Sequence, residues 1–305
     1  MATKRVKLAC YEILPNEPKL TKSFDILKDL SEAFSIGNIT NRSRLLSDIS
    51  VEGEQEFITK QKKSGTGLFC TFLHLKSGGA IIIQKSFMDK NEFSLEELAA
   101  NDEESIAGHI KDYTYFFLTK KLLILRSTRG IPSSHIEIYL NWFLKKSLVR
   151  YSAKNAVFTL KPCLKKSFDP RTIGSIELGK NVIIGEKSVT DTVVRPVVKG
   201  LEQFLKAGGF DDIDAATVVD ASVILKILKP EKKDEKRSQK ALQSILKAVK
   251  SDETVLKDRR GNKIIINNVK EFKEVNVPHL STGFPDVAVL EQSMVEYCDE
   301  VSPKQ

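Results

Sequence analysis

The feature that most constrains the fold is a pair of β-rich runs that meet with almost no gap. They are YTYFFLT (113–119) and KLLILRS (121–127), and a single lysine separates them. Two strand-like runs joined so tightly predict a β-hairpin, because such short connections join antiparallel neighbours. A segment with apolar residues at helical spacing, HIEIYLNWFLKKSL, follows Pro132-Ser-Ser134, which is a suitable helix start. The chain therefore combines antiparallel strands with helices.

The elements around this hairpin complete a first predicted domain, residues 1–164. A second hairpin is indicated where LFCTFLHL and AIIIQKSF flank Gly78-Gly79. Helices beside a largely antiparallel sheet define an α+β domain. The other predicted elements are a strand at 6–14, an amphipathic helix at 19–34, an acidic helix at 94–110 and a strand at 155–164.

The rest of the chain is predicted to form a second α+β domain after a connection. Residues 165–200 hold short β-like runs with Gly and Pro and are interpreted as a connecting segment. The C-terminal domain, 201–305, carries a basic surface. Its predicted elements are a helix at 201–207, a strand at 210–228, a helix at 238–251, a hairpin at 254–267 and a C-terminal helix at 284–301. The predicted class is α+β, with two domains of mostly antiparallel sheets flanked by helices.

Cysteine spacing and hydropathy limit the cellular context. The four cysteines form no CxxC or Cys/His pattern, so they are expected to be reduced thiols, and no metal site is predicted. No apolar run approaches the ~18 residues that a membrane span needs. The first residues are typical of a strand rather than a signal peptide. A cytoplasmic protein without direct membrane insertion is expected.

Charge is distributed unevenly along the chain, whose net charge is +8. Residues 226–274 hold fifteen basic and eight acidic residues, a local net of +7, and residues 145–171 hold eight basic residues and one aspartate. The stretch 88–112 has two basic and eight acidic residues. Separate basic and acidic regions favour a polyanion partner more strongly than the total charge does.

Three basic segments are candidate phosphate contacts. In the first, KPEKKDEKRSQK (229–240) leads into a helix whose lysines lie roughly opposite its apolar stripe. The second is a hairpin tip, DRRGNK (258–263), and the third spreads over helix, turn and strand edge. The candidate DNA-binding residues are Lys229, Lys232, Lys233, Lys236, Arg237, Lys240, Lys247, Lys250, Arg259, Arg260, Lys263, Lys145, Lys146, Arg150, Lys165 and Lys166. Trp142 and its aromatic neighbours have core-like spacing, which does not favour base stacking.

Catalytic signatures are scarce. The four histidines stand alone, and no nucleophile elbow, P-loop or GxGxxG occurs. No catalytic residue or cofactor is predicted. One alternative is a metal-dependent nuclease using Asp169, Glu177 and Lys180. Another is a protein–protein scaffold in which the acidic stretch 92–104 docks a basic partner.

The order of these segments resembles the RexA family of lambdoid prophages, the sensor half of the Rex phage-exclusion system. The resemblance lies in GTGLFCTFLHLKSGGAIIIQKSF, the acidic SLEELAANDEES and YTYFFLTKKLLILRSTRGIPSSHIEIYLNWFL. It continues in GLEQFLKAGGFDDIDAATVVDASVILKILKPEKKDEKRSQKALQSIL and ETVLKDRRGNKIIIN. It covers residues 60 to the C-terminus and rests on order and pattern more than identity.

The resemblance implies a cytoplasmic DNA-binding homodimer of two α+β domains joined by a mobile connection. Since no helix presents a convincing set of Arg, Asn and Gln for base readout, the expected binding is to double-stranded DNA and largely independent of sequence. Such a protein would sense phage DNA in abortive infection. It would act through a membrane channel partner of the RexB kind. The family offers no catalytic residue to carry over, and only the basic segment 229–250 and the hairpin at 259–263 match as candidate contacts.

Overall fold

A computed structural model describes most of the N-terminal half, parts of the middle and the C-terminal segment. The described residues are 2–16, 24–35, 37–46, 54–76, 82–100, 106–128, 130–165, 173–178, 183–184, 187–188, 223–226, 255–264 and 269–302. The chain divides into two compact units. Unit 1 comprises Met1–Leu160 and Phe272–Gln305, and unit 2 comprises Lys161–Glu271.

Unit 1 is built on a nine-stranded sheet whose paired strands run antiparallel. The strands are β1 (Ala2–Pro15), β2 (Arg44–Leu45), β3 (Gln55–Ser64), β4 (Gly67–Lys76), β5 (Ile82–Gln84), β6 (Ile106–Leu118), β7 (Leu122–Arg126), β8 (Phe158–Pro162) and β15 (Phe272–His279). Their order is β15-β1-β7-β6-β4-β3-β2, with β5 paired to β6 and β8 paired to β1. Together with the helices packed against it, this sheet confirms the predicted α+β class.

The hairpin predicted at 113–127 is confirmed as β6 and β7. The two strands are antiparallel, with Phe116 opposite Leu125 and Leu118 opposite Leu123. Thr119 closes the turn, because its hydroxyl oxygen accepts the Leu122 N–H at 3.1 Å and its own N–H donates to the Leu122 carbonyl at 2.8 Å. A short turn with this chemistry can be predicted from sequence because all its contacts are local.

The strands of the hairpin predicted around Gly78-Gly79 have different partners. Strand β4 turns back on β3, where Ser64 lies opposite Gly67, and its other edge pairs with β6. A Cβ at Gly67 would collide with the Leu118 carbonyl oxygen, so only glycine at this position allows β4 and β6 to approach each other. Strand β5, expected beside β4, pairs with β6 instead. A strand as apolar as β4 is stabilised by partners on both edges, which no local turn signal reveals.

The acidic helix predicted at 94–110 is wrong at 106–110, and residues 101–105 lie outside the described residues. A 3₁₀ turn spans Glu96–Ala100, and the chain from Ile106 already belongs to β6. Pairing with β5, in which Gly108 lies opposite Ile83, accounts for this difference. Strand pairing here outweighs the helical preference of the sequence.

Five α-helices are described in unit 1: α1 (Ile26–Phe34), α2 (Ile39–Arg42), α3 (Lys85–Met88), α4 (Ser133–Ser147) and α5 (Val287–Val301). Asp25 caps α1 and Asp286 caps α5 through side-chain oxygens that accept N–H groups of the first turn. Helix α4 is fixed by Tyr139, which is fully buried. The Tyr139 hydroxyl donates to the Arg42 carbonyl at 3.0 Å and accepts the Ile58 N–H at 3.2 Å. The predicted helices at 133–147 and at the C-terminus are thus confirmed.

The two ends of the described chain meet in unit 1. Residues 2–9 of β1 pair with residues 272–279 of β15. Helix α5 lies over this region and buries Leu290, Met294 and Tyr297. The sequence grouped residues 272–305 with the second domain. In the structure, β15 is a strand of the same sheet as β1, and α5 packs against that sheet.

Unit 2 contains a four-stranded antiparallel sheet in the order β12 (Val223–Lys226), β9 (Ile173–Leu178), β13 (Val255–Asp258), β14 (Lys263–Ile264). The predicted hairpin at 254–267 is confirmed, since Leu256 of β13 lies opposite Ile264 of β14. Residues 173–178, predicted to belong to a connection, form a strand in this sheet. Strands β10 (Ile183–Ile184) and β11 (Lys187–Ser188) pair separately. The helices predicted at 201–207 and 238–251 lie outside the described residues.

Candidate nucleic-acid interface

Nine of the sixteen predicted phosphate contacts lie outside the described residues. They include every candidate in the basic segment 229–250. Of the nuclease alternative, Asp169 and Lys180 are likewise outside, and only the backbone of Glu177 is described. The nine residues are Lys166, Lys229, Lys232, Lys233, Lys236, Arg237, Lys240, Lys247 and Lys250.

The β13–β14 turn presents Arg259, Arg260 and Lys263 as exposed side chains. Asp258 organises this turn, because its Oδ1 accepts the N–H groups of Arg260 at 2.7 Å and Asn262 at 2.8 Å. Its Oδ2 accepts the Asn262 side-chain amide at 2.8 Å. The Asn262 hydrogen bonds hold the pKa of the Asp258 carboxyl below its usual range. The turn is therefore ordered by its own carboxylate while its cations face solvent.

The last turn of α4 carries Lys145 and Lys146, here called the α4 basic surface. The Lys145 ammonium donates to the Asn155 carbonyl at 3.2 Å, and the Lys146 ammonium donates to the Asn41 carbonyl at 2.7 Å. Within the described part of the chain, no carboxylate lies within 4.0 Å of either ammonium. An ammonium has three donors, so both retain hydrogen-bonding capacity and an uncompensated charge. This pair is a candidate phosphate contact.

A groove lies beside the α4 basic surface. Its volume is about 320 Å³, and six residues line it: Ile138, Asn141, Trp142, Lys145, Lys146 and Asn155. Trp142 is half-buried and Ile138 is 48% exposed. The Lys146 ammonium lies 4.9 Å from the centroid of the Trp142 ring, which is cation–π distance. The groove thus combines an apolar aromatic wall with two positive charges.

The sequence assigned Trp142 to the core, and the structure places it on the groove. The buried face of α4 is formed by Ile136, Tyr139, Leu140 and Phe143. At about 100° per residue, Ile138 falls opposite this face and Trp142 falls at its edge, beside Tyr139. That angular position was a signal in the sequence that could have identified a partly exposed aromatic side chain.

Arg150 does not serve as a free cation. Its guanidinium lies 2.6 Å from Asp29 Oδ1 and 2.8 Å from Glu32 Oε2, and both carboxylates belong to α1. The Tyr151 hydroxyl donates to the second oxygen of Asp29 at 2.6 Å. The Arg150 hydrogen bond lowers the pKa of Glu32, and the same contact raises the pKa of Arg150. Arg150, in the 3₁₀ turn Val149–Tyr151 that follows α4, thus forms an ion pair with α1, and a DNA contact at Arg150 stays a prediction.

Replacing Arg150 with methionine is expected to destabilise unit 1 by about 1–3 kcal/mol, because it leaves the buried Asp29 carboxylate without its cation. The effect is smaller than for a fully buried pair, since the Arg150 side chain is 43% exposed. Urea unfolding followed by tryptophan fluorescence measures it.

Arg5→Met is the matched control, because Arg5 pairs with Glu274 where both side chains are exposed. The control is expected to cost less than about 1 kcal/mol. An R150M protein as stable as R5M, or one whose DNA affinity falls as far as that of an α4 basic surface variant, would contradict this role.

Lys165 lies in unit 2, whereas the α4 basic surface belongs to unit 1. Its backbone N–H donates to the Val269 carbonyl at 2.9 Å, next to a bridge between Leu164 and Lys270. The third predicted cluster therefore divides into Lys145 and Lys146 in unit 1, Lys165 in unit 2, and Arg150 in an ion pair.

Two of the histidines that looked isolated are neighbours. The rings of His74 and His135 have centroids 6.1 Å apart. His74 Nε2 lies 3.7 Å from a Glu54 oxygen, and His135 Nδ1 lies 3.4 Å from an oxygen of Glu56, which is buried. Burial lowers the pKa of His74. Across the described ranges, no three potential ligands among His, Cys, Asp and Glu converge on a common metal position.

No family model, curated protein or solved structure matches this chain. Among the described residues, no helix is long and apolar enough to cross a membrane. The resemblance to the RexA family accordingly rests on the order and pattern of sequence segments. Two basic surfaces, the α4 basic surface and the β13–β14 turn with its exposed cations, bear on the function through their charge and geometry.

Proposed function

We propose that this protein binds double-stranded DNA through its phosphates, largely independently of sequence, and has no catalytic role. The observation that carries the proposal is the α4 basic surface, whose two ammonium groups have no carboxylate partner in the described structure. Lysine contacts to phosphate supply affinity and position without reading bases.

The β13–β14 turn supports the same function. Arg260 and Lys263 are exposed at a turn whose acidic residue, Asp258, is already occupied by hydrogen bonds within the turn. Turns that carry Arg and Lys are suited to gripping a phosphate backbone. The basic segment 229–250 would extend the interface, as its lysine-rich sequence predicts.

The biological role follows from the resemblance to the RexA family. We propose a homodimer that acts in the cytoplasm as a DNA sensor in phage exclusion, with a RexB-like membrane channel protein as its partner. A neighbouring reading frame encoding a small protein with several membrane spans would support this role.

Salt titration of DNA binding tests the proposal. Each neutralised phosphate contributes about 0.9 to the slope of log K against log salt concentration. With Lys145, Lys146, Arg260 and Lys263 as contacts, the slope is expected to be −3.6 or steeper, at about −0.9 for each. Incubating plasmid with the protein and magnesium or manganese distinguishes the nuclease alternative, since degradation of the plasmid would contradict a purely binding role.

A further inference from the structure

The groove beside the α4 basic surface has features that phosphate binding alone does not require. A phosphate contact needs only exposed cations. Here the two lysines border a concave site of about 320 Å³, which is at the lower end of the range for small-ligand sites. A duplex backbone passing over the lysines would leave the apolar part of this groove unfilled.

The apolar wall suits a flat ring. Trp142 and Ile138 are one helical turn apart on α4, and both are partly exposed in the groove. Trp142 is itself held in place by the buried Tyr139 ring, whose centroid lies 5.7 Å away. Partly exposed aromatic rings stack nucleobases without regard to sequence, because every base has a π-face. A base stacked here would take the place of the Lys146 ammonium, which lies over the Trp142 ring.

The charged groups of the groove are donors. The Asn141 amide is fully used, since it accepts from the Val157 and Phe158 N–H groups and donates to the Phe158 and Glu137 carbonyls. Lys145 and Lys146 each make one described hydrogen bond, to a carbonyl, which leaves ammonium donors for an anion. The groove therefore fits a ligand that is aromatic at one end and anionic at the other.

We propose that this groove binds an unpaired nucleotide of DNA, with its base on Trp142 and its phosphate on Lys145 and Lys146. The inference rests on the proposed DNA binding, because the two lysines serve both. It assigns the protein a preference for DNA that contains a single-stranded gap over a fully paired duplex, whose bases are stacked within the helix and cannot enter the groove.

Intrinsic fluorescence tests this directly, because Trp142 is the only tryptophan of the chain. The intact protein is titrated with a blunt duplex, with the same duplex carrying a short gap, and with thymidine monophosphate alone. Anisotropy of labelled DNA records binding independently. Both duplexes are expected to bind, the gapped one at least about five-fold more tightly. Only the gapped duplex is expected to quench Trp142.

Two substitutions separate stacking from folding. Trp142→Leu keeps an apolar side chain but removes the ring, so the preference for gapped DNA is expected to disappear while the blunt duplex still binds. Trp142→Phe retains a ring and is expected to keep most of the preference. Thermal unfolding by circular dichroism should give intact folds for both, and a preference that survives in folded W142L overturns the inference.

The outcomes distinguish the two proposals. Equal binding of both duplexes without quenching overturns the unpaired-nucleotide site and leaves the proposed DNA binding intact. Failure of either duplex to bind at low salt overturns the proposed function itself. Quenching by thymidine monophosphate without quenching by gapped DNA overturns the inference in favour of a free nucleotide as the ligand.

Discussion

Replacing Lys145 and Lys146 with glutamine is expected to weaken duplex DNA binding about 60-fold at 0.1 M salt. A slope of about 0.9 per phosphate contact means that each contact contributes about eight-fold at 0.1 M relative to 1 M salt. Two contacts together give the expected loss, and the slope of log K against log salt should flatten by about 1.8. Each lysine makes one exposed hydrogen bond, and Lys146 also contacts the half-buried Trp142 ring, so the fold should remain intact without them. Anisotropy across a sodium chloride series measures both quantities.

The matched control removes two positive charges elsewhere in unit 1. Lys120 and Lys121 lie in the turn between β6 and β7, and Lys120 already pairs with Asp25 at 2.7 Å. The K120Q/K121Q protein has the same net charge as K145Q/K146Q. Its affinity is expected to fall by no more than about three-fold, since it loses long-range attraction but no phosphate contact. Equal losses in the two double variants would refute a localised α4 interface.

Asn141→Leu is expected to destabilise unit 1 by about 3 kcal/mol or more. The Asn141 side-chain oxygen accepts the Val157 N–H at 2.6 Å and the Phe158 N–H at 3.2 Å, and both residues are fully buried. Its amide donates to the Phe158 carbonyl at 3.0 Å. Leucine would leave these backbone groups unpaired, at about 1–3 kcal/mol each. Urea unfolding followed by Trp142 fluorescence reports on unit 1, which contains this residue.

Asn16→Leu provides the comparison. Asn16 also bonds next to β8, where its amide donates to the Ala156 carbonyl at 3.4 Å and its oxygen accepts from Thr159. These bonds are exposed, so water replaces them and the expected cost is below about 1 kcal/mol. Similar stabilities for N141L and N16L would show that Asn141 does not fix α4 to β8.

The elements that could be predicted from the sequence are those specified by nearby residues. The β6–β7 hairpin follows from two strand-like runs and a turn closed by Thr119. The β13–β14 hairpin follows from a turn in which Gly261 adopts φ +87°, a conformation that glycine tolerates. Helix α4 follows from an apolar stripe after Pro132. In each case the predictive signal comes from residues close together in the sequence, although α4 is also held by the Tyr139 hydrogen bonds to Arg42 and Ile58.

Pairings between distant segments could not be predicted in this way. Strand β15 pairs with β1 across almost the whole chain, and β5 joins β6 although a closer strand precedes it. Propensity and periodicity identify a strand but not its neighbours, because the pairing energy depends on packing against distant side chains. Periodicity alone therefore grouped residues 272–302 with the segments that precede them, although β15 pairs with β1.

The candidate site likewise has a part that the local sequence indicated and parts that depend on distant residues. The charge count correctly singled out the region of Lys145 and Lys146 as basic. It could not show that Arg150 is neutralised by Asp29, which lies 121 residues earlier in the chain. The groove that Trp142 lines could not be predicted for a different reason, because Asn155 from the following loop completes it.

The salt dependence of duplex DNA binding by the intact protein is the most direct test of the central claim. Anisotropy of a labelled duplex at increasing sodium chloride concentrations gives the slope of log K against log salt. Phosphate binding through the two basic surfaces predicts tight binding at low salt, a slope of −3.6 or steeper from at least four contacts at about 0.9 each, and similar affinities for unrelated sequences. No binding at low salt, or binding that is insensitive to salt, would contradict it.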